Sequence, residues 1–328
     1  MSVHPQISIL IPARNEEGNL QRVFDSLDAL TYPKENLEIW LGNDDSTDQT
    51  GHMMDTYALS RPWAKVIHLK EDKEDPLTGK TRVLAELATH ATGEYLFFTD
   101  ADIALPPEWI SGMLKGFGPD TGVVVGATGF HRTSLRATLQ GIEWLMALSI
   151  FKIAADAGLP STGLGNNMAV SRKAYDAVGG YRTLGFSIVE DYFLYKNIID
   201  AGFGFRHLLS PDVLAFTLPP VRYFEQRRRW IKGAMENAPA AMAGGILQAL
   251  CIPLLLLLGL IHPLIPAVTG VLLVLIYAGF ILYFQQKLRI SGYLRYLPLF
   301  AVYISGAWLL QFIYYLGSRK TVWKGRKY

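Results

Sequence analysis

Tyr95-Leu96-Phe97-Phe98-Thr99-Asp100-Ala101-Asp102 runs an apolar segment of strand length straight into two carboxylates separated by one small residue. A run this short and continuous predicts a strand buried on both faces, as in a parallel sheet covered by helices. Three more apolar runs precede it, at 7–11, 37–41 and 66–69. Between them Leu20, Phe24, Leu27 and Leu30 recur at helical spacing, and Val83, Leu84, Leu87 and Ala91 do the same after Lys80. This alternation predicts an α/β fold, a mainly parallel sheet with flanking helices. Right-handed crossovers then set the C-terminal ends of its strands along one edge, where ligands bind. Polar segments follow three strands there: Arg14-Asn15-Glu16-Glu17, Asn43-Asp44-Asp45-Ser46-Thr47-Asp48 and Thr99-Asp100-Ala101-Asp102. Further on, 167–171 reads as a strand and 172–178 as a short helix, with Ser171 as N-cap and Gly179 closing it. The 163–167 loop is thereby expected near the sheet.

The chain of 328 residues is 50% hydrophobic and 18% charged, and the shortage of charge is concentrated towards its C-terminus. No Asp, Glu, Lys or Arg occurs between Glu236 and Lys287, or between Arg295 and Arg319. At about 20 apolar residues per crossing, the first gap holds two spans, 246–261 and 266–284, broken at Ile261-His262-Pro263-Leu264-Ile265-Pro266, and the second holds one. The expected organisation is a domain over 1–235, a membrane region of about three transmembrane helices over 246–318, and a basic tail over 319–328. The positive-inside rule wants the 227–232 cluster and the 287–295 loop in the cytoplasm. Three full crossings would export the tail, so one segment stays open to a re-entrant or interfacial reading. The apolar stretch over 142–153, which contains Glu143 and Lys152, fits either the membrane surface or core burial.

Lys and Arg total 31 against 29 Asp and Glu, so no net field exists to recruit nucleic acid. The single cysteine, Cys251, excludes a disulfide framework and a thiolate metal cluster, and the 7 histidines show no metal-ligand spacing. The first six residues carry no Lys or Arg ahead of a short apolar run, unlike a secretory signal. The larger part is expected to stay in the reducing compartment where it is made.

Asp100 and Asp102 place two hard oxygen ligands on a short turn. Such a pair suits a divalent cation that takes its remaining oxygens from a diphosphate and water. Solvated loop acids are the plainer reading of Asp-x-Asp alone. Six further elements accompany it: Ile11-Pro12-Ala13-Arg14-Asn15-Glu16-Glu17, Asn43-Asp44-Asp45-Ser46-Thr47-Asp48, Gly79-Lys80, Gly165-Asn166-Asn167, Glu190-Asp191 and Gln226-Arg227-Arg228-Arg229-Trp230.

With these elements in order, the stretch from Ile7 to about Trp230 resembles the family 2 glycosyltransferases, whose catalytic domain has the nucleotide-sugar-binding fold called GT-A. The resemblance implies that Ala13, Arg14 and Glu16 lie against the nucleotide, that Asp44 accepts a hydrogen bond from the base, commonly uracil, and that Lys80 contacts the nucleotide. It further implies that Asp100 approaches the ribose or sugar and that Asp102 ligates a divalent metal, Mg²⁺ or Mn²⁺, bridging the two phosphates. Asp191 becomes the general base in a single inverting displacement, and Glu190, Gln226, Arg229 and Trp230 fall at the acceptor or diphosphate. Plainer roles exist for several: Glu16 as a helix N-terminal acid, Glu190 and Asp191 as caps of the next helix, and the 227–232 cations as juxtamembrane charge. The chain departs from the family's usual Asp-Asp-Gly-Ser pattern, with Asn43 first and Asp45 in the glycine place.

Membrane glucosyltransferases that form glycolipids share this layout by resemblance. The implied activity is transfer of a hexose, glucose from UDP-glucose at the family level, to a membrane lipid acceptor. Ceramide, diacylglycerol, a carotenoid, a hopanoid and a polyprenyl phosphate all stay open as acceptors. The implied place is the cytoplasmic face of a bacterial inner membrane. Two alternatives stand beside it: a processive polysaccharide synthase, which normally needs more membrane helices, and a catalytically inactive nucleotide-sugar-binding membrane module. A sugar nucleotidyltransferase would call for a glycine-rich loop after the first strand, and Pro12-Ala13-Arg14-Asn15-Glu16 offers none.

Overall fold

The computed structural model describes residues 4–317 except 73, 188, 221 and 238, together with 322–323 and 326–327; the side chains of Arg229, of 233–243 and of the basic tail lie outside the described residues. In chain order the elements begin β1 (Ile7–Ala13), α1 (Glu17–Asp28), β2 (Leu37–Asp44), α2 (Thr50–Leu59), β3 (Ala64–Leu69), α3 (Gly79–His90), β4 (Tyr95–Thr99), α4 (Trp109–Leu114), β5 (Thr121–Val125) and β6 (Ala127–Phe130). They continue as α5 (Leu135–Asp156), β7 (Asn167–Ser171), α6 (Arg172–Ala177), α7 (Gly180–Leu184), α8 (Glu190–Asp200), β8 (Gly204–His207), β9 (Leu214–Thr217), α9 (Tyr223–Asn237), α10 (Pro239–Ile261), α11 (Leu264–Leu288) and α12 (Leu297–Gly317).

The chain divides into two compact units, 1–129 with 150–217, and 130–149 with 218–328. The first is built on a seven-stranded sheet of order β3-β2-β1-β4-β7-β5-β8. Side chains alternate across β1: Ile7, Ile9 and Ile11 pack with Leu20, Val23, Phe24 and Leu27 of α1, while Leu10 packs with Val83, Leu84 and Leu87 of α3. Both faces of the central strands are therefore covered, which explains why β1 and β4 read as continuous apolar runs. All four strands expected from such runs are present and each extends slightly further than the run that marks it.

Pairing is parallel between β1 and β2, β1 and β4, β2 and β3, and β5 and β8, whereas β7 runs antiparallel to both β4 and β5. The one reversed strand matters for the site. Its first residue, Asn167, stands opposite Thr99 at the C-terminal end of β4, so the 163–166 loop arrives at the edge where the parallel strands end. The chain leaves by α6, whose N-cap Ser171 accepts from the Ala174 N–H at 3.2 Å. Gly179 follows in the left-handed region at φ 71°.

The second unit contains three helical spans long and apolar enough to cross a membrane: Gly244–Ile261, Leu264–Leu288 and Leu294–Gly317. Their break falls at His262-Pro263, and Pro266 sits in the first turn of α11, where a missing N–H removes no helical hydrogen bond. Large apolar side chains such as Leu256, Leu260, Leu272 and Val302 are exposed on these spans. Inside, Gln248 of α10 donates to Tyr277 of α11 at 3.0 Å and to Ser305 of α12 at 2.8 Å. That polar tie joins three helices whose outer surfaces are largely apolar.

Candidate active site

The edge of the sheet is fixed by hydrogen bonds among the loops that meet there. Asn167 is fully buried, and its amide donates to the Ala127 carbonyl at 2.8 Å and the Val213 carbonyl at 2.9 Å while its oxygen accepts from the Trp109 indole at 2.9 Å. Thr99 donates to the Asn166 carbonyl at 3.1 Å. The Gly165-Asn166-Asn167 element thus ties β7 to β4 just before the acidic turn. Ala101 is buried in the core, so its neighbours Asp100 and Asp102 are the parts of that turn left partly exposed. Thr217 donates to the Asp102 carboxylate at 3.3 Å, and Arg22 binds the Asp102 carbonyl at 2.9 Å.

Lys80 is the centre of the charge arrangement. It enters from the head of α3, where Gly79 adopts φ 58°, a conformation that a side chain would strain. Its ammonium lies 2.7 Å from Asp100 and 3.0 Å from Glu190. Asp191 adjoins them: its carboxylate accepts from the Gly165 N–H at 2.7 Å and from the Tyr192 N–H at 2.8 Å. A Cβ at Gly165 would stand 2.9 Å from the Asp191 Cβ and 3.3 Å from the Lys80 Nζ, so glycine lets this backbone N–H reach the carboxylate. Burial by itself lowers the Lys80 pKa, but Asp100, Glu190 and Asp191 outweigh it and hold the ammonium above its ordinary value. Glu190 is pushed up, chiefly by burial and further by Asp191, against the opposing pull of Lys80. Both acids lie in the first turn of α8, so the start of that helix is what brings them to Lys80.

The loops after β1 and β2 interlock. Arg14 donates to the Asp44 carbonyl at 2.7 Å and stands 3.9 Å from its carboxylate; Ala13 and Asp44 are buried beside it. Asn15 and Asp45 both take positive φ, 52° and 51°, so Asp45 serves in the backbone conformation that glycine supplies in the related pattern. The Glu16 carboxylate accepts from Asn19 at 2.7 Å within the first turn of α1. Asn43 bonds His68 at 3.0 Å, and the far ring nitrogen of His68 meets Asp55 at 2.9 Å. This three-residue chain steadies the 43–48 loop, and His68 gave no sign of it in sequence, because its partners come from separate elements.

In the second unit, α9 presents Tyr223, Gln226, Arg227 and Trp230 on one face, and α5 presents Gln140 and Trp144. With Phe130 and Pro220 they line a narrow cleft. Trp144 and Trp230 stack with centroids 5.0 Å apart and planes 24° apart. Arg227 does not face lipid, as a juxtamembrane reading of 227–232 has it: its side chain is 11% exposed, 2.5 Å from the Glu143 carboxylate and over the rings of Tyr223 and Trp308. Arg228 is buried too. A buried carboxylate on α5 holds the first of these cations, which draws it inward. The apolar 142–153 stretch is accordingly mixed, with Ile142, Leu145 and Leu148 buried and Ile150 and Ile153 exposed. Arg229 lies in α9, its side chain outside the described residues.

The sequence profile of glycosyl transferase family 21 matches residues 1–328. The chain belongs to that family. The chain is 25% identical over 247 residues to beta-monoglucosyldiacylglycerol synthase of Synechocystis, covering 71% of the chain and 49% of that protein. It is 26% identical over 243 residues to the probable glycosyltransferase YdaM of Bacillus subtilis, covering 70% and 55%. The chain thus spans about half the length of the curated relatives it matches. Among solved structures, the mannosyltransferase PcManGT of Pyrobaculum calidifontis, in complex with GDP-Man and Mn²⁺, superposes with TM-score 0.52 at 21% identity, covering 70% of this chain and 62% of that one. The shared architecture is the GT-A-like fold expected from the motifs.

Proposed function

We propose that this glycosyltransferase moves a hexose, glucose from UDP-glucose by resemblance, onto a membrane lipid with inversion. The observation that carries the reading is the company Asp191 keeps. It sits at the ligand edge beside Glu190, Lys80 and Asp100, held by the Gly165 N–H at 2.7 Å. In the proposed step Asp191 takes the proton of the acceptor hydroxyl as that oxygen bonds to the anomeric carbon, whose bond to the diphosphate oxygen breaks with its electron pair. One displacement needs one base and no enzyme nucleophile.

Asp100, Glu190 and Asp191 oppose a single ammonium here, and an anionic diphosphate would not join such a surplus of carboxylate unaided. Asp100 and Asp102 therefore fit a divalent cation that draws its other oxygens from phosphate and water. Among the described residues no group of three His, Cys, Asp or Glu side chains stands ready to hold a metal, so phosphate and water oxygens would have to complete its coordination. When bound, it would stabilise the negative charge of the departing diphosphate. Ala13, Arg14, Glu16, Asp44 and Lys80 serve the nucleotide in this reading, and Gln226, Arg229 and Trp230 the acceptor or diphosphate.

The lipid acceptor is supported by the three apolar spans and by the Synechocystis relative, whose name gives a glucosyldiacylglycerol product. Residues 1–235 form the transferase domain on the cytoplasmic face and 246–318 the membrane region, an orientation favoured by Lys287, Arg289 and Arg295 between α11 and the last span. The test is sugar-nucleotide turnover by purified protein with mixed membrane lipids, with Mg²⁺ or Mn²⁺ present and then chelated, and mass spectrometry of the lipids. One hexose added to a lipid, in the presence of metal alone, is the expected result. Long polymer, or no transfer to any acceptor across a donor panel, would overturn it.

A further inference from the structure

The cleft lined by the stacked Trp144 and Trp230 has an unusual balance of polar groups. Gln140 is 4% exposed, yet its amide, like that of Gln226, has no protein hydrogen-bond partner among the described residues. Each amide can donate and accept, which suits hydroxyls and neutral carbonyls. Arg227 is the one charged side chain among the described residues that line the cleft, and a guanidinium there is the natural partner of a phosphate. It is already spoken for. Glu143, 5% exposed, lies 2.5 Å from it, and the carboxylate is itself fixed by Tyr223 at 3.0 Å and by Tyr303 of α12 at 3.4 Å.

We infer that Glu143 is a positioning residue that sets acceptor choice: by holding and neutralising Arg227 it keeps the cleft open to uncharged, hydroxyl-bearing head groups and closed to phosphorylated ones. The inference rests on the reading that this face of α9 meets the acceptor. Glu143 touches no substrate itself. It acts by denying Arg227 to an anion and by keeping Gln226 and Trp230, on the same helical face, turned into the cleft.

The test uses the full chain in neutral detergent, with octyl phosphate and monooctanoylglycerol as probes of matched tail length, and binding as the readout. Wild-type protein is expected to bind the glycerol probe more tightly than the phosphate. Glu143→Gln leaves a free guanidinium, and octyl phosphate affinity should rise about tenfold or more, as for one charge-assisted contact, with the glycerol probe changed little. Because that variant unpairs a buried charge, Gln140→Lys supplies a surplus cation in the same cleft without touching the pair and should give the same gain. Glu143→Gln with Arg227→Gln should remove it. A merely structural Glu143 would lower stability and leave charge preference unmoved. Wild-type binding of octyl phosphate as tight as of the glycerol, or no gain in either cation-surplus variant, overturns the inference. Turnover separates the two readings: a wild-type protein that transfers sugar to no lipid defeats the proposed function, while the binding comparison still decides the role of Glu143.

Discussion

Two charged clusters, one in each unit, are built from the same chemistry and balanced differently. In the first, Lys80 shares one ammonium between Asp100 and Glu190, with Asp191 adjoining, and the Asp100 side chain remains 34% exposed. In the second, Glu143 and Arg227 are matched one to one, at 5% and 11% exposure, under the hydroxyls of Tyr223 and Tyr303. Burying charge is costly unless it is paired, so a folded protein keeps a surplus only where something else completes it. In the proposed reading, the surplus of carboxylate at the sheet edge is where a cationic component of the donor complex would bind. The matched pair on α5 and α9 instead holds a wall in place.

The largest expected effect lies in the unbalanced cluster. Asp191→Asn keeps an oxygen to accept from Gly165 and removes the base, so transfer should fall by about 10²- to 10⁴-fold while the KM for the nucleotide sugar changes little. Steady-state turnover with varied donor checks it. Wild-type turnover in this variant would reduce Asp191 to a helix-opening residue like any other first-turn acid.

Removing the cation from each cluster sharpens the contrast. Lys80→Met strands Asp100 and Glu190, and Arg227→Met strands Glu143; breaking a buried pair costs about 3–5 kcal/mol, so both should lower Tm. Mn²⁺ should restore part of the loss in Lys80→Met, since a divalent cation can neutralise the stranded carboxylates, and none in Arg227→Met. Thermal unfolding with and without Mn²⁺ reads the difference. An equal response of the two variants would erase the distinction between them.

This contrast shows where sequence is informative. The strands β1 to β4 were legible because burial on both faces writes itself as a continuous apolar run, and the spans of α10 to α12 because charge is missing over long stretches. The reversed direction of β7 was not, since apolar periodicity carries no direction. Strand β8, Gly204–His207, is too short and too polar to stand out. Within the site, the acids could be read from their positions after strands, but the meeting of Lys80 with Glu190 depends on the antiparallel return of β7 and the placement of α8. The partnership of Glu143 with Arg227 was hidden for a similar reason: each looked like the polar rim of its own segment, and only tertiary packing brings them together.

The smallest expected effect concerns a group in the first unit that packing keeps from carrying charge. His207, on β8, is 5% exposed, 3.2 Å from the Ser161 hydroxyl and against the rings of Tyr195 and Phe151. Burial, aided by Lys152, pushes it down from the ordinary 6.5 to about 4. Between those values the unfolded chain holds a proton that the folded chain refuses, so stability is fully present above pH 6.5 and is lost as pH falls towards 4. The loss amounts to about 3 kcal/mol at 1.36 kcal/mol per unit. His207→Phe should remove that share of the acid slope in thermal unfolding from pH 4 to 7. Groups elsewhere in the chain contribute equally to both proteins, so the difference between the two curves isolates the histidine. If the curves stay parallel, burial of His207 carries none of the acid sensitivity, and its part in the first unit is packing alone.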